Sequence, residues 1–247
     1  MAFRLLTYNI RLGGVGRVDA LARIVNACAP DVVLLQEATR PAVVEQLAEQ
    51  TGMREWRAIR GQSLGCMSRE PLEHASWHRP RMSRHAFLEV IPAGSRLRLF
   101  GVHLSAIHAA WTEQRRRYEL RALLRSIADR QDGLHVLAGD FNTLAPGAEL
   151  DVRRLPLRLR PFVWLSGGRI RWRTIQTVLD AGYVDAFRMK HPHDPGCTVP
   201  SHDPQVRLDY AFLPAAFTDR IVQCDVVRHP DVQSASDHYP VTLDLAG

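Results

Sequence analysis

Residues 3–37 read FRLLTYNIRLGGVGRVDALARIVNACAPDVVLLQE. Phe3 to Tyr8 is composed like a short buried strand, and it closes on Asn9 and a loop with Gly13, Gly14 and Gly16. Val18, Leu21, Ala22 and Val25 recur at helical spacing up to Cys28, where Pro30 and Asp31 break the pattern. Val32 to Leu35 is a continuous apolar run, as in a strand buried on both faces, and it ends on Gln36 and Glu37. A second helix is expected over Ala42 to Gln50. Strand, helix, strand, helix is the alternation of an α/β fold.

Further along, the middle becomes strand-rich. Leu64 to Met67, Phe87 to Ile91 and Leu97 to Leu104 read as strands, with Pro92-Ala93-Gly94-Ser95 as a hairpin connection. A long helix is expected over Thr112 to Arg130, because Leu120, Leu123, Leu124 and Ile127 make an i, i+3, i+4, i+7 stripe. Arg115, Arg116, Arg117, Arg121 and Arg125 crowd the rest of its surface and read as a solvated face. Leu134 to Ala138 is another buried strand, closed by Gly139-Asp140-Phe141-Asn142. Leu208 to Leu213, Ile221 to Val227 and Val241 to Leu245 complete the strands. Residues 145–174 are Arg-rich, broken by Pro156, Pro161 and Gly167-Gly168, and read as a long irregular insertion. No domain boundary, short-period repeat or low-complexity tract stands out, so one domain over 1–247 is expected.

The 247 residues carry 32 Lys+Arg against 26 Asp+Glu, a formal net charge of +6. That is a mild bias, short of a dedicated nucleic-acid clamp. Lys190 is the only lysine, an Arg/Lys ratio best attributed to codon usage. No apolar run reaches the roughly 18 residues of a membrane span. Cys28, Cys66, Cys197 and Cys224 form no C-x-x-C pair, which argues against a zinc ribbon or thioredoxin-type site. Free buried thiols, and an N-terminus that runs straight into a strand, lead us to expect a cytoplasmic protein.

Several strands end in polar residues: Asn9, then Gln36 and Glu37, then His103, then Asp140 and Asn142. Two more polar clusters follow, Arg207-Leu208-Asp209-Tyr210 and Ser236-Asp237-His238. Each alone has an ordinary reading as a turn or a cap. Together, Glu37, Asp140, Asp209 and Asp237 would make an acidic pocket whose carboxylates repel unless a cation sits among them. Oxygen donors select a hard ion, Mg²⁺ or Mn²⁺. Such an ion beside His and Asn donors suits a phosphoryl group.

The ordered set Thr7-Tyr8-Asn9-Ile10, Leu35-Gln36-Glu37, Val102-His103-Leu104, Gly139-Asp140-Phe141-Asn142, Arg207-Leu208-Asp209-Tyr210 and Ser236-Asp237-His238-Tyr239-Pro240 resembles the endonuclease/exonuclease/phosphatase superfamily. These are the deoxyribonuclease I and exonuclease III class of metal-dependent phosphoesterases. The resemblance runs from about Phe3 to Leu245, and Gly65 to Pro71 and Gly182 to Arg188 with Thr198 add supporting matches. It implies a four-layer α/β/β/α sandwich of two packed, mostly antiparallel sheets, deoxyribonuclease I-like, in the mixed α/β (α+β) class.

The same resemblance implies site roles. Glu37 would be the principal metal ligand, with Asn9 and Asp237 near the same Mg²⁺ or Mn²⁺ ion. Asp140 would position and activate water, with Asn142 holding it or a phosphate oxygen. His238 would contact the scissile phosphate, oriented by Asp209, and His103 would bond another phosphate oxygen. The family's apurinic-site endonuclease branch commonly has an Asp where this chain has Arg11, a cation suited to substrate phosphate instead. The W-C-D-R signature of inositol polyphosphate 5-phosphatases is replaced by Val206-Arg207-Leu208-Asp209.

The implied function is a divalent-metal-dependent phosphodiester hydrolase, a nuclease before all else, acting as a monomer by in-line attack of water. Two alternatives stay open: action on a phospholipid head group or small phosphate ester, and a non-catalytic anion-binding module. Further substrate-contact candidates are Arg207, His108 and Trp164. Trp164 and Trp172 interleave with Arg169, Arg171 and Arg173, either to stack bases or to anchor the insertion. His191-Pro192-His193-Asp194 reads as an exposed loop rather than a metal site.

Overall fold

The computed structural model describes residues 2–80, 83, 85–106, 109–128, 133–148, 151–154, 157, 160–165 and 172–247. In chain order the elements are β1 (Phe3–Asn9), α1 (Val18–Cys28), β2 (Val32–Gln36), α2 (Pro41–Thr51), β3 (Glu55–Ala58), β4 (Gly65–Ser68), β5 (Leu72–His78), β6 (Phe87–Pro92) and β7 (Arg98–His103). Then come α3 (Ala110–Ala128), β8 (His135–Asp140), α4 (Arg160–Leu165), α5 (Thr174–Asp180), β9 (Tyr183–Asp185), α6 (Ala186–Lys190), β10 (Asp209–Pro214), β11 (Ile221–Val226), α7 (Val232–Ala235) and β12 (Val241–Leu245).

Local chemistry sets several of these limits. Helix α2 opens on Pro41, whose missing N–H costs nothing in a first turn, and stops at Gly52 with φ 64°. Helix α1 stops where Ala29 turns left-handed, one residue before Pro30.

The strands form two six-stranded sheets, ordered β11-β12-β1-β2-β4-β3 and β5-β6-β7-β8-β10-β9. Each sheet has one parallel pair at its centre, β1 with β2 and β7 with β8, and antiparallel neighbours around it. The alternating register sends Leu5, Val32, Leu34 and Cys66 of one sheet against Leu88, Leu99, Val136 and Ala211 of the other. The opposite face of the first sheet packs on α1, α2 and α7 through Leu6, Tyr8, Leu21, Val25 and Leu47. The opposite face of the second packs on α3 and α5 through Phe100, Leu120, Leu123, Ile175 and Phe212. The result is the expected α/β/β/α sandwich, with two mixed sheets.

Edge elements escaped the sequence reading. Strands β3, β5 and β9 are short or polar and half-exposed, so they lack an apolar run. The region expected to be irregular holds α4, a single helical turn at Val152–Arg154 and, from Thr174, the start of α5.

Candidate active site

Parallel pairing puts the C-terminal ends of two neighbouring strands at the same edge. Asn9 lies in register with Gln36, and His103 with Asp140. Antiparallel β10 then brings Asp209 opposite Asp140. The two sheets stack so that these ends meet. The Asn9 side-chain amide donates to Asp140 Oδ2 at 3.1 Å and to Glu37 Oε1 at 3.3 Å. Asn9, Asp140, Asp209, His103, Asn142 and His238 are all buried, while Glu37 and Asp237 are half-buried. Among the residues expected to carry chemistry, eight therefore cluster at one edge.

The backbone around them is held in unusual conformations. Five non-glycine residues have positive φ among those described, and four border this cluster: Arg11 (51°), Leu12 (48°), Glu37 (58°) and Asn142 (51°). Each such residue costs on the order of 1–3 kcal/mol, which the surroundings must offset. Here the offset is visible as hydrogen bonds. Arg11 N–H donates to Asn9 Oδ1 at 2.9 Å, and Leu12 N–H to Glu37 Oε2 at 2.5 Å. Asn142 donates its N–H to Asp140 Oδ1 at 2.8 Å and its amide to Leu104 carbonyl at 3.1 Å. Gly139, φ 149°, lets β7 and β8 approach: a Cβ there would sit 1.9 Å from the Val102 carbonyl oxygen.

His238 lies between two carboxylates. Its Nδ1 is 2.9 Å from Asp209 Oδ2, and its Nε2 is 3.9 Å from Asp140 Oδ2. Burial opposes a charged imidazole, yet Asp209 and Asp140 outweigh it and push the His238 pKa up to about 10. Burial pushes the Asp140 carboxyl up from its ordinary value, against the opposing pull of His238 and His103. His103 approaches Asp140 from the other side, with Nε2 at 3.8 Å. Arg11 faces Asp237 across 3.5 Å at the rim.

Other residues complete the setting without having been expected. Ser63 Oγ hydrogen-bonds His103 Nδ1 and accepts the Glu37 N–H at 3.3 Å, linking the two sheets' contributions. His85 stacks on His103 with ring centroids 5.3 Å apart. Ser236 Oγ donates to the Asn9 carbonyl at 2.6 Å and fixes the segment before His238. Beneath them Glu113, at the start of α3, accepts from Thr143 Oγ1 (2.8 Å), Thr174 Oγ1 (2.7 Å) and the N–H groups of Arg173 and Thr174 (both 2.6 Å). It also pairs with Arg116 at 3.1 Å. Isolated serines and a lone histidine carry no sequence signal; Glu113 and Arg116 do have the i, i+3 spacing of a helix ion pair.

Arg116 corrects the reading of the α3 arginines as a uniformly solvated face. It has no exposed surface, and its guanidinium reaches Glu113 and the Ser105 carbonyl (2.7 Å). Arg207 is also buried. Its guanidinium forks onto Asp185, the cap of α6, and lies over the Tyr210 and Phe187 rings at 4.5 and 5.1 Å. Its ion pair is thus with Asp185 and not with Glu37, Asp140, Asp209 or Asp237, and a buried guanidinium so engaged is not placed as the substrate contact expected of it. Trp164 is 76% exposed on α4, whereas Trp172 packs against Leu144, Val206 and Leu208 and anchors the chain there. Pro192, His193 and Asp194 are exposed as expected of that loop, while His191 is half-buried and bonds Asp225 Oδ1 and the Cys224 carbonyl on β11. His108, Arg169 and Arg171 lie outside the described residues.

The donor chemistry of the cluster fits a hard divalent cation. Glu37, Asp237, Asp140 and Asp209 offer carboxylate oxygens and Asn9 its Oδ1, which here accepts the Arg11 N–H, and Asp140, Asp209 and His238 present ligand atoms within 4.8 Å of one another. Two carboxylates, those of Glu37 and Asp140, converge on the single Asn9 amide. No helix among the described residues is long and apolar enough to cross a membrane.

Comparison with known proteins adds the following. The model of the endonuclease/exonuclease/phosphatase family matches residues 6–238. An AP endonuclease from Archaeoglobus fulgidus shares 17% identity and superposes with a TM-score of 0.74 over 98% of each chain. A 3' phosphatase from Neisseria, solved with a product DNA hairpin, shares 18% identity, with a TM-score of 0.73 over 99% of this chain and all of that one. Humanized D. rerio TDP2 shares 18% identity, with a TM-score of 0.69 over all of this chain and 99% of that one. Likeness at these identities is a likeness of fold. No curated protein sequence gives a significant match.

Proposed function

The chain belongs to the endonuclease/exonuclease/phosphatase family, and from that premise we propose that it is a divalent-metal-dependent phosphodiester hydrolase acting on nucleic acid. The observation that carries the reading is the buried chain Asn9–Asp140–His238–Asp209, which joins the ends of both parallel strand pairs. The structural neighbours include proteins named as an AP endonuclease and as a phosphatase bound to DNA, which favours nucleic acid over lipid.

In this reading Glu37, Asn9 and Asp237 hold Mg²⁺ or Mn²⁺. The ion, when bound, polarises a phosphate oxygen and screens its charge. Asp140 accepts the proton of the attacking water, and its raised pKa brings it nearer to a useful base. Its geometry is set by the Asn9 amide and the Asn142 N–H, which leave it little freedom to rotate. The water oxygen bonds phosphorus in line as the opposite P–O bond breaks, and the departing oxygen takes a proton from solvent. His238, protonated at neutral pH, donates to the phosphoryl oxygens as they gain charge, with Asp209 fixing its ring. His103, oriented by Ser63, donates to a second oxygen. Arg11 sits at the rim, where it can meet a flanking phosphate.

The test is a panel of plasmid DNA, abasic and 3'-phosphorylated oligonucleotides, RNA, sphingomyelin and sugar phosphates, each with Mg²⁺, Mn²⁺ or chelator. Metal-dependent cleavage of a nucleic acid, lost in Asp140→Ala and His238→Ala, is expected. Cleavage of lipid or sugar phosphate alone would move the substrate. No hydrolysis of any ester, with anion binding intact, would point to the non-catalytic alternative.

A further inference from the structure

On the outer face of the second sheet, strand β5 carries His74, Ser76 and His78 on one side of the pleat. In a strand, residues four apart are separated by roughly 13 Å of backbone. The two imidazoles nevertheless lean toward each other: His74 Nε2 and His78 Nε2 lie 2.8 and 2.9 Å from the same Ser76 hydroxyl. The pairing register of β5 with β6 shifts between Leu72 and His74, just before the first of these histidines. Glu89 of β6 stands directly across from Ser76. Its Oε2 is 2.7 Å from His78 Nε2 and 3.9 Å from His74 Nε2.

We infer that His74, His78 and Glu89 form a second metal site, for a borderline transition ion such as Zn²⁺, that ties edge strand β5 to β6. Their ligand atoms all lie within 4.8 Å of one another. Zinc with bonds of about 2.0–2.2 Å to nitrogen and oxygen accepts donors roughly 3.4 Å apart, so small ring rotations suffice. Two imidazoles and one carboxylate suit Zn²⁺ rather than Mg²⁺, which prefers oxygen alone. Glu89 is already oriented: Arg98 Nη1 holds its other oxygen at 2.8 Å, the kind of outer contact that fixes a metal-binding carboxylate. The Glu89 side chain is 3% exposed, while the His74 and His78 side chains are 46% and 29% exposed. A buried carboxylate under two accessible imidazoles gives the ion a route in and a fixed floor. Ser76 Oγ lies where it can complete the set or turn aside.

The test is Zn²⁺ and Co²⁺ titration of chelator-treated protein, followed by calorimetry and by the visible absorption of Co²⁺. It needs no catalytic activity and does not depend on the proposed reaction. Because the acidic cluster can also bind an ion, through Glu37 and Asp237 or through Asp140, Asp209 and His238, the titration is run in a Glu37→Gln/Asp209→Asn background. One equivalent of Zn²⁺ is expected to bind there, unaffected by millimolar Mg²⁺, and to raise Tm. His74→Ala and the double variant His74→Ala/His78→Ala should abolish that equivalent. Both substitutions lie at partly exposed positions, so the fold survives them. Isotherms unchanged by the double variant, or no saturable Zn²⁺ binding in the Glu37→Gln/Asp209→Asn protein, would overturn the inference.

Discussion

Replacing Glu113 with Gln tests how the site is supported from below. The Glu113 carboxylate is 4% exposed and accepts from Arg173 and Thr174 N–H, Thr174 Oγ1, Thr143 Oγ1 and Arg116. Gln keeps the shape but removes the charge, and its amide turns two donors toward groups that are themselves donors. Arg116, with no exposed surface, then loses its buried counter-ion. Breaking a buried pair from one side costs on the order of 3–5 kcal/mol. At about 2–4 °C per kcal/mol for a chain of this size, Tm should fall by roughly 6–20 °C. Thr143 follows Asn142 directly, so kcat should drop by about 10–100-fold once that turn loosens. Denaturant unfolding and calorimetry measure the first effect, and steady-state kinetics the second. Adding Arg116→Met to the variant should recover part of the stability, because it removes the stranded charge. A Glu113→Gln protein within 1 kcal/mol of wild type, or a double variant no better than the sum of the singles, would refute the reasoning.

The same contacts set a pH dependence. Although burial alone would raise it, Arg116, Thr174, the Arg173 N–H and Thr143 together hold the folded Glu113 pKa below its ordinary 4.5. Its stabilisation is therefore complete above that value and lost as pH falls through the lower, folded pKa; the gap between wild type and Glu113→Gln should narrow below pH 4.5 in acid titration of unfolding. Asp209→Asn leaves His238 without its orienting carboxylate, and kcat should fall by about 10²–10⁴-fold with the fold intact by circular dichroism; a kcat within threefold of wild type would contradict the assigned pairing. Gly139→Ala forces a Cβ to 1.9 Å from the Val102 carbonyl, so a loss of several kcal/mol, about 4 or more, is expected in urea unfolding. Native protein should react with a thiol reagent first at half-buried Cys197, while the three buried thiols, pushed up by burial, wait for unfolding; peptide mapping of the labelled sites checks this.

Much of this protein was legible from residues alone. Val18–Cys28, Val32–Leu35 and Val241–Leu245 are long, strongly periodic or wholly apolar, and the structure places elements there within a residue. The strand-end polar residues were legible for the same reason: a buried strand can stop only where its side chains reach the edge of the core. Sheet order was not legible, because pairing is decided between segments distant in the chain, such as β1 with β12 and β8 with β10. Nor were β3 and β5, where one face or an edge meets water and no hydrophobic pattern is needed. The α3 arginines show the limit most clearly. Composition put Arg115, Arg116 and Arg117 on one footing; only packing decided that Arg116 turns inward, because Glu113, Ser105, Thr143 and Thr174 form a polar pocket that no run of letters displays. Sequence thus determined which groups could do chemistry, through residue type and spacing. The tertiary structure decided which of them meet, since two sheets had to stack before four carboxylates and two histidines could share one edge.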